Sequence, residues 1–173
     1  MLNPKIQDAI NEQINAEFYS AFLYLSMSMH FEAEGLSGIA NWFKVQFQEE
    51  QAHAEIFMNY INQRGGRVEL KAIEAVPTSW ESPMAAFQAT LEHEQKVTAL
   101  INSLYSLATK EEDYATRDRL AWFVSEQVEE EDNCRTLIDK LKLIGDNGMG
   151  LYMVSQELAT RTYTTPSPLA SAE

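Results

Sequence analysis

Cysteine is almost missing from this sequence: Cys134 is the only one. A single thiol rules out an intrachain disulfide framework and any cysteine-cluster metal or redox motif, and a reducing compartment is the expectation. Positive charge is also in short supply. Thirteen Lys and Arg stand against 26 Asp and Glu, for a formal net charge of −13. That balance argues against nucleic acid or an anionic membrane as partner and is compatible with attracting cations. No uninterrupted apolar run approaches the ~18 residues of a membrane span. The opening Met1-Leu2-Asn3-Pro4-Lys5 is not a basic region followed by an apolar stretch, so no secretory signal is expected. The expected location is cytoplasmic.

Glycine and proline are scarce as well, 7 and 5 residues, and they fall between apolar-periodic segments. That punctuation is the one long helices leave. Asn3-Pro4 and Ser82-Pro83 each pair a capping side chain with a proline at the first helical position. The pattern predicts helices from Asn3-Pro4 to about Glu34, from about Ser37 to Gly65-Gly66, from Ser82-Pro83 to about Lys110, and from after Glu111–Asp113 to about Lys142. A short fifth is expected from Leu151 to about Ala159. The stretch from Arg67 to Glu81 has no helical period and contains Pro77. Helices near 30 residues would be about 45 Å long at 1.5 Å per residue and must pack antiparallel. The expected fold is all-α: a four-helix bundle with a long crossover between helices two and three, plus a short C-terminal helix. Residues 1–160 form this domain, and 161–173 are expected to be a mobile tail.

Steps of three and four trace the buried seam of each helix. Every seam is interrupted by an acid: Glu17 in the first helix, Glu50 with His53 in the second, Glu94 in the third, Glu130 in the fourth with Gln127 beside it. Glu50 follows Glu17 by 33 residues, and Gln127 follows Glu94 by the same interval, so the four breaks are expected at similar depth. An ionised carboxylate in a dry core is too costly to keep unpaired, and two divalent cations would neutralise four of them. A di-iron carboxylate centre in a bundle takes one Glu from each of two helices and a Glu-x-x-His from each of the others. Glu17 and Glu94 fit the single positions and Glu50-Gln51-Ala52-His53 fits the motif. The fourth helix departs, with Gln127 where Glu would stand and Glu130 where His would. One metal position would use Glu17, His53 and a shared Glu50; the other, without an imidazole, would use Glu50, Glu94 and Glu130. Oxygen donors with one imidazole suit iron or manganese.

With these residues in view, the chain resembles the bacterial non-haem ferritins from Asn3-Pro4 to about Leu158. The resemblance rests on Glu17, Tyr24, Glu50-x-x-His53, Glu94 and Gln127-x-x-Glu130. It implies a homo-oligomeric shell of 24 subunits whose ferroxidase centre holds two irons, oxidises Fe(II) with dioxygen or peroxide, and delivers Fe(III) to an internal mineral. It also implies a redox or hydrogen-bonding role for Tyr24 and a third iron position at Glu49, Glu126, Glu129 and Glu130. A bacterioferritin would carry a haem-ligating Met directly after the bridging Glu; Gln51 stands there, so no haem is expected. Two other readings of the residues stay open: a di-iron oxidase or peroxidase acting on another substrate, and a metal-free helical scaffold.

Overall fold

A computed structural model describes residues 2–170. Met1 and the last three residues of the expected tail lie outside the described residues. The elements are α1 (Pro4–Ala33), α2 (Ser37–Gln63), α3 (Pro83–Lys110), α4 (Tyr114–Ile144), α5 (Gly148–Leu158) and α6 (Ser167–Ala170). The described residues contain no strand, and no helix among them is long and apolar enough to cross a membrane.

The helices begin where short polar side chains supply caps. Asn3 Oδ1 accepts from the Lys5 N–H at 3.0 Å, Ser82 Oγ from Ala85 at 3.1 Å and Asp113 Oδ1 from Thr116 at 3.0 Å. Helix α5 opens at Gly148, earlier than the glycine pattern predicts, because Asn147 Oδ1 accepts from both Met149 and Gly150. The first three helices stop alike. A residue of positive φ turns the chain (Gly35, Gly65, Glu112), and the next N–H reaches back to a carbonyl five residues earlier. These bonds run from Leu36 to Phe31, Gly66 to Ile61 and Asp113 to Ala108, each at 2.9 Å.

Helices α1 and α2 form one hairpin, α3 and α4 the other. The crossover between them is irregular, and side chains of α1 hold its backbone. Asn11 Nδ2 donates to the Arg67 carbonyl at 3.1 Å and Asn15 Nδ2 to Ala72 at 3.1 Å; Ser26 Oγ donates to Pro77 at 2.6 Å. At one end of the bundle Arg64 grips Asp113 with two hydrogen bonds of 3.0 Å, tying the end of α2 to the start of α4.

Two apolar clusters fill the bundle. One is built around Tyr24, Phe31, Phe43, Phe87 and Leu137, the other around Ile6, Ile10, Phe57, Ile101 and Phe123. The seam acids lie between them, so the core is two hydrophobic blocks separated by a polar layer. Helix α5 docks on the start of α2 by close backbone approach: a Cβ on Gly38 would lie 1.7 Å from the Ser155 carbonyl oxygen. From Leu158 the chain passes back along α2. Leu169 of α6 packs on the cluster that contains Leu2 and Ile6.

Candidate metal centre

Each long helix carries its acid inward at the level where the two apolar blocks part. Glu17, Glu50, His53, Glu94, Gln127 and Glu130 are between 0% and 4% exposed. Glu17, Glu50 and His53 each present one ligand atom, all within 4.8 Å of one another. His53 Nδ1 faces Glu50 Oε2 at 3.1 Å, the contact that the i, i+3 spacing brings about. Trp122 and Phe123 of α4 box the imidazole edge-on, with ring centroids 5.6 and 5.7 Å away.

A hydrogen-bonded set links acids of both hairpins. Gln127 Nε2 donates to Glu94 Oε2 at 3.1 Å and lies 3.3 Å from both the Glu94 carbonyl and Thr98 Oγ1. The Tyr24 hydroxyl donates to Glu94 Oε1. Glu130 Oε2 accepts from Gln46 Nε2 at 2.9 Å, and Glu17 Oε1 accepts from Gln13 Nε2 at 2.9 Å. Three buried polar atoms here have no hydrogen-bond partner: Glu17 Oε2, Gln46 Oε1 and His53 Nε2. Buried polar atoms are almost always satisfied, so orphaned oxygens beside convergent carboxylates fit a cation.

The electrostatics agree. Burial pushes the pKa values of Glu17 and Glu94 up, and those of Glu50 and Glu130 well above the usual carboxylate range. For Glu50 and Glu130 the neighbouring carboxylates, Glu94 foremost, add to the effect of burial. Tyr24 is fully buried, and its phenol is driven well above its ordinary value by burial and then by Glu94 and Glu50. Without cations these acids hold their protons more tightly than free carboxylates do; a divalent ion would act in the opposite direction.

The outer acids are less enclosed. Glu126 is half-buried, with Oε1 3.9 Å from His53 Nε2. Glu49 is bound by Arg161 at 2.7 Å. Glu129 is exposed and acts on Glu126 by charge. Glu130 faces inward to Gln46, away from a purely solvated role.

Gln13, Gln46, Thr98 and Arg161 belong to no motif that marks them as site residues. A signal existed for two of them: Gln13 precedes Glu17 by four residues and Gln46 precedes Glu50 by four, one helical turn back on the seam. His93 had no evident partner in the sequence. It receives a 2.8 Å contact from Ser20 Oγ and sets its ring edge-on to Tyr24 at 6.0 Å.

Comparisons with known proteins agree with this architecture. A family model described as a ferritin-like domain matches residues 7–144. A bacterial non-heme ferritin of Bacteroides fragilis (strain 638R) is 46% identical over 161 residues, 93% of this chain and 100% of that protein. One from Staphylococcus aureus (strain MRSA252) is 39% identical over 163 residues, covering 94% of this chain and 98% of that protein. Among solved structures, an open pore ferritin from the hyperthermophilic archaeon Archaeoglobus fulgidus superposes with a TM-score of 0.93 at 46% identity, covering 94% of this chain and 100% of the other. An engineered closed form of the Archaeoglobus fulgidus ferritin gives the same TM-score and identity over 95% of this chain and 100% of that one. With the acid layer, the hairpin pairing and these matches in agreement, the chain belongs to the ferritin family.

Proposed function

We propose that this protein is an iron-storage ferroxidase: it oxidises Fe(II) at a dinuclear site between the hairpins and stores the Fe(III) as mineral within a shell of 24 identical subunits. The observation that carries the reading is the layer of four buried acids, one from each long helix, beside the orphaned Glu17 Oε2. Divalent cations would neutralise such a layer, which otherwise stays buried only by keeping protons. The kinship with bacterial non-heme ferritins supports storage as the purpose.

Iron is the substrate and cargo here: each Fe(II) gives up one electron to dioxygen or peroxide, and no organic or haem cofactor is required. The residues divide the work of holding it. Glu17, His53 and Glu50 bind at one position, with Gln13 fixing one Glu17 oxygen so that the other is presented. Glu50, Glu94 and Glu130 bind at the second. Gln127 and Tyr24 orient Glu94, and Gln46 orients Glu130. Gln127 offers a neutral amide where a further carboxylate would hold the ion firmly, so this position releases its product more readily. Glu49, Glu126 and Glu129 form an outer step for iron moving between centre and shell interior. Water is kept from the centre by the apolar blocks above and below it.

The test is stopped-flow oxidation of Fe(II) by the assembled protein and its Glu50→Ala variant. Losing the shared carboxylate should abolish the fast phase. Parent-like oxidation by that variant would sink the assignment, and uptake of only about two irons per chain would argue for an oxidase acting on another substrate.

A further inference from the structure

Arg161 lies in the irregular segment after α5, yet its side chain is fixed on α2. Nη2 donates to Glu49 Oε2 at 2.7 Å and Nη1 to the Trp42 carbonyl at 3.3 Å. The guanidinium lies 4.8 Å from the Trp42 ring centroid, within cation–π range. Asn41 Nδ2 anchors the backbone by donating to the carbonyls of Leu158 at 3.1 Å and Arg161 at 2.9 Å. The two charged side chains are 23% and 19% exposed, so solvent screens the pair only in part.

Glu49 shares its surroundings with the outer donors. Burial raises its pKa; Arg161 and then His53 oppose that, and Glu126 adds to it. His53 turns Nδ1 toward Glu50 and Nε2 toward Glu126. That Nε2 is buried without a hydrogen-bond partner. The outer group is therefore faced by a buried imidazole nitrogen without a hydrogen-bond partner, and one cation, Arg161, already stands on its Glu49 arm. An arginine stays charged at any pH the protein meets. It can leave Glu49 only by moving.

We propose that Arg161 is a tethered countercation that occupies Glu49, so that a divalent ion entering the Glu49–Glu126 group must displace it. By holding one carboxylate, Arg161 keeps the outer position weaker than the dinuclear centre, and iron is retained briefly there. The proposal rests on the dinuclear reading for the identity of the natural ion, but the competition at Glu49 is a property of this chain. The two arms of Arg161, Nη2 on Glu49 and Nη1 on the Trp42 carbonyl, distinguish it from a diffuse surface charge: a lysine could keep the charge but not both arms from one planar group.

The experiment is anaerobic calorimetric titration of the assembled, metal-stripped protein with Zn(II), a redox-silent probe, for the parent, Arg161→Gln, Arg161→Lys and the Arg161→Gln/Glu49→Gln double variant. Arg161→Gln should tighten the weakest class of sites about tenfold, the equivalent of ~1.4 kcal/mol, and leave the tight pair unchanged. Arg161→Lys should fall between it and the parent, and the double variant should lose the gain. The proposal is overturned if Arg161→Gln and parent isotherms superimpose, or if the gain survives removal of the Glu49 charge. A lowered melting temperature with unmoved weak-site affinity would likewise overturn it, reducing Arg161 to a tail anchor. Absence of any tight pair in the parent would instead count against the dinuclear reading, with the weak class still comparable between variants.

Discussion

Gln46 and Glu130, 84 positions apart, are joined by a 2.9 Å hydrogen bond in the middle of the bundle. The amide is wholly enclosed and its oxygen has no partner. This bond fixes the rotamer of a carboxylate on α4 from a helix in the other hairpin, so the second metal position proposed above would be shaped by both halves of the fold.

Replacing Gln46 by Leu removes that constraint at similar bulk. Glu130 would lose a charge-assisted bond worth about 1.5–3 kcal/mol. The second metal should bind about tenfold or more weakly while the first is little changed. Anaerobic Fe(II) titration resolving two classes per chain checks this; equal weakening of both classes would contradict the separate role given to Glu130.

The acid layer makes a pH prediction with a definite sign. Folded Glu17, Glu50, Glu94 and Glu130 hold protons to higher pH than they would in the unfolded chain, chiefly through burial. Between the unfolded and the raised folded values the native state binds more protons, so its stability falls as pH rises through that window. Metal-stripped protein should therefore melt at lower temperature as pH is raised from about 5 toward neutrality, with a shallower decline in Glu50→Gln. Divalent ions should abolish the decline and expel protons on binding. Calorimetry in two buffers of different ionisation enthalpy would detect that release; its absence would mean the acids are already ionised.

Tyr24 and Glu94 make a separable case. Tyr24→Phe keeps the ring against Phe43 (centroids 6.2 Å apart) but deletes the hydroxyl on Glu94. One hydrogen bond of this kind is worth about 1–2 kcal/mol. Metal stoichiometry should survive and the oxidation rate should fall severalfold, as read by stopped flow. An unchanged rate would make Tyr24 a core residue and nothing more.

At Gly38 the prediction is about architecture. A methyl group there would overlap the Ser155 carbonyl, and backbone cannot yield as a side-chain tip can. Gly38→Ala should cost about 1–3 kcal/mol by overpacking and loosen α5, visible as faster amide exchange in Val154 and Leu158. Parent-like exchange would show that α5 is held by other contacts.

The helices and the acid layer were legible because both are periodic. Caps such as Asn3 and Ser82 sit at fixed offsets from prolines, and Glu17, Glu50, Glu94 and Glu130 break apolar seams that one can count along the chain. What was hidden has no period. Glu112 takes φ of 53° at a turn where the two preceding turns use glycine, so composition gives no sign that all three close alike. The Arg161–Glu49 pair joins residues 112 positions apart, and Arg161 lies in a segment without helix. Gln127 was legible only as an amide standing where a carboxylate would. Its amide nitrogen goes to Glu94 and Thr98, a choice between neighbours that spacing alone does not make.

The return of the chain along α2 has a practical corollary for anyone wishing to attach cargo or a label. Because Leu169 rests on the block that also contains Leu2 and Ile6, α6 lies in the half of the bundle where α1 begins. Labels placed near Leu2 and near Leu169 would then sit on the same apolar block and could be read as a pair, away from α5, which docks on the start of α2.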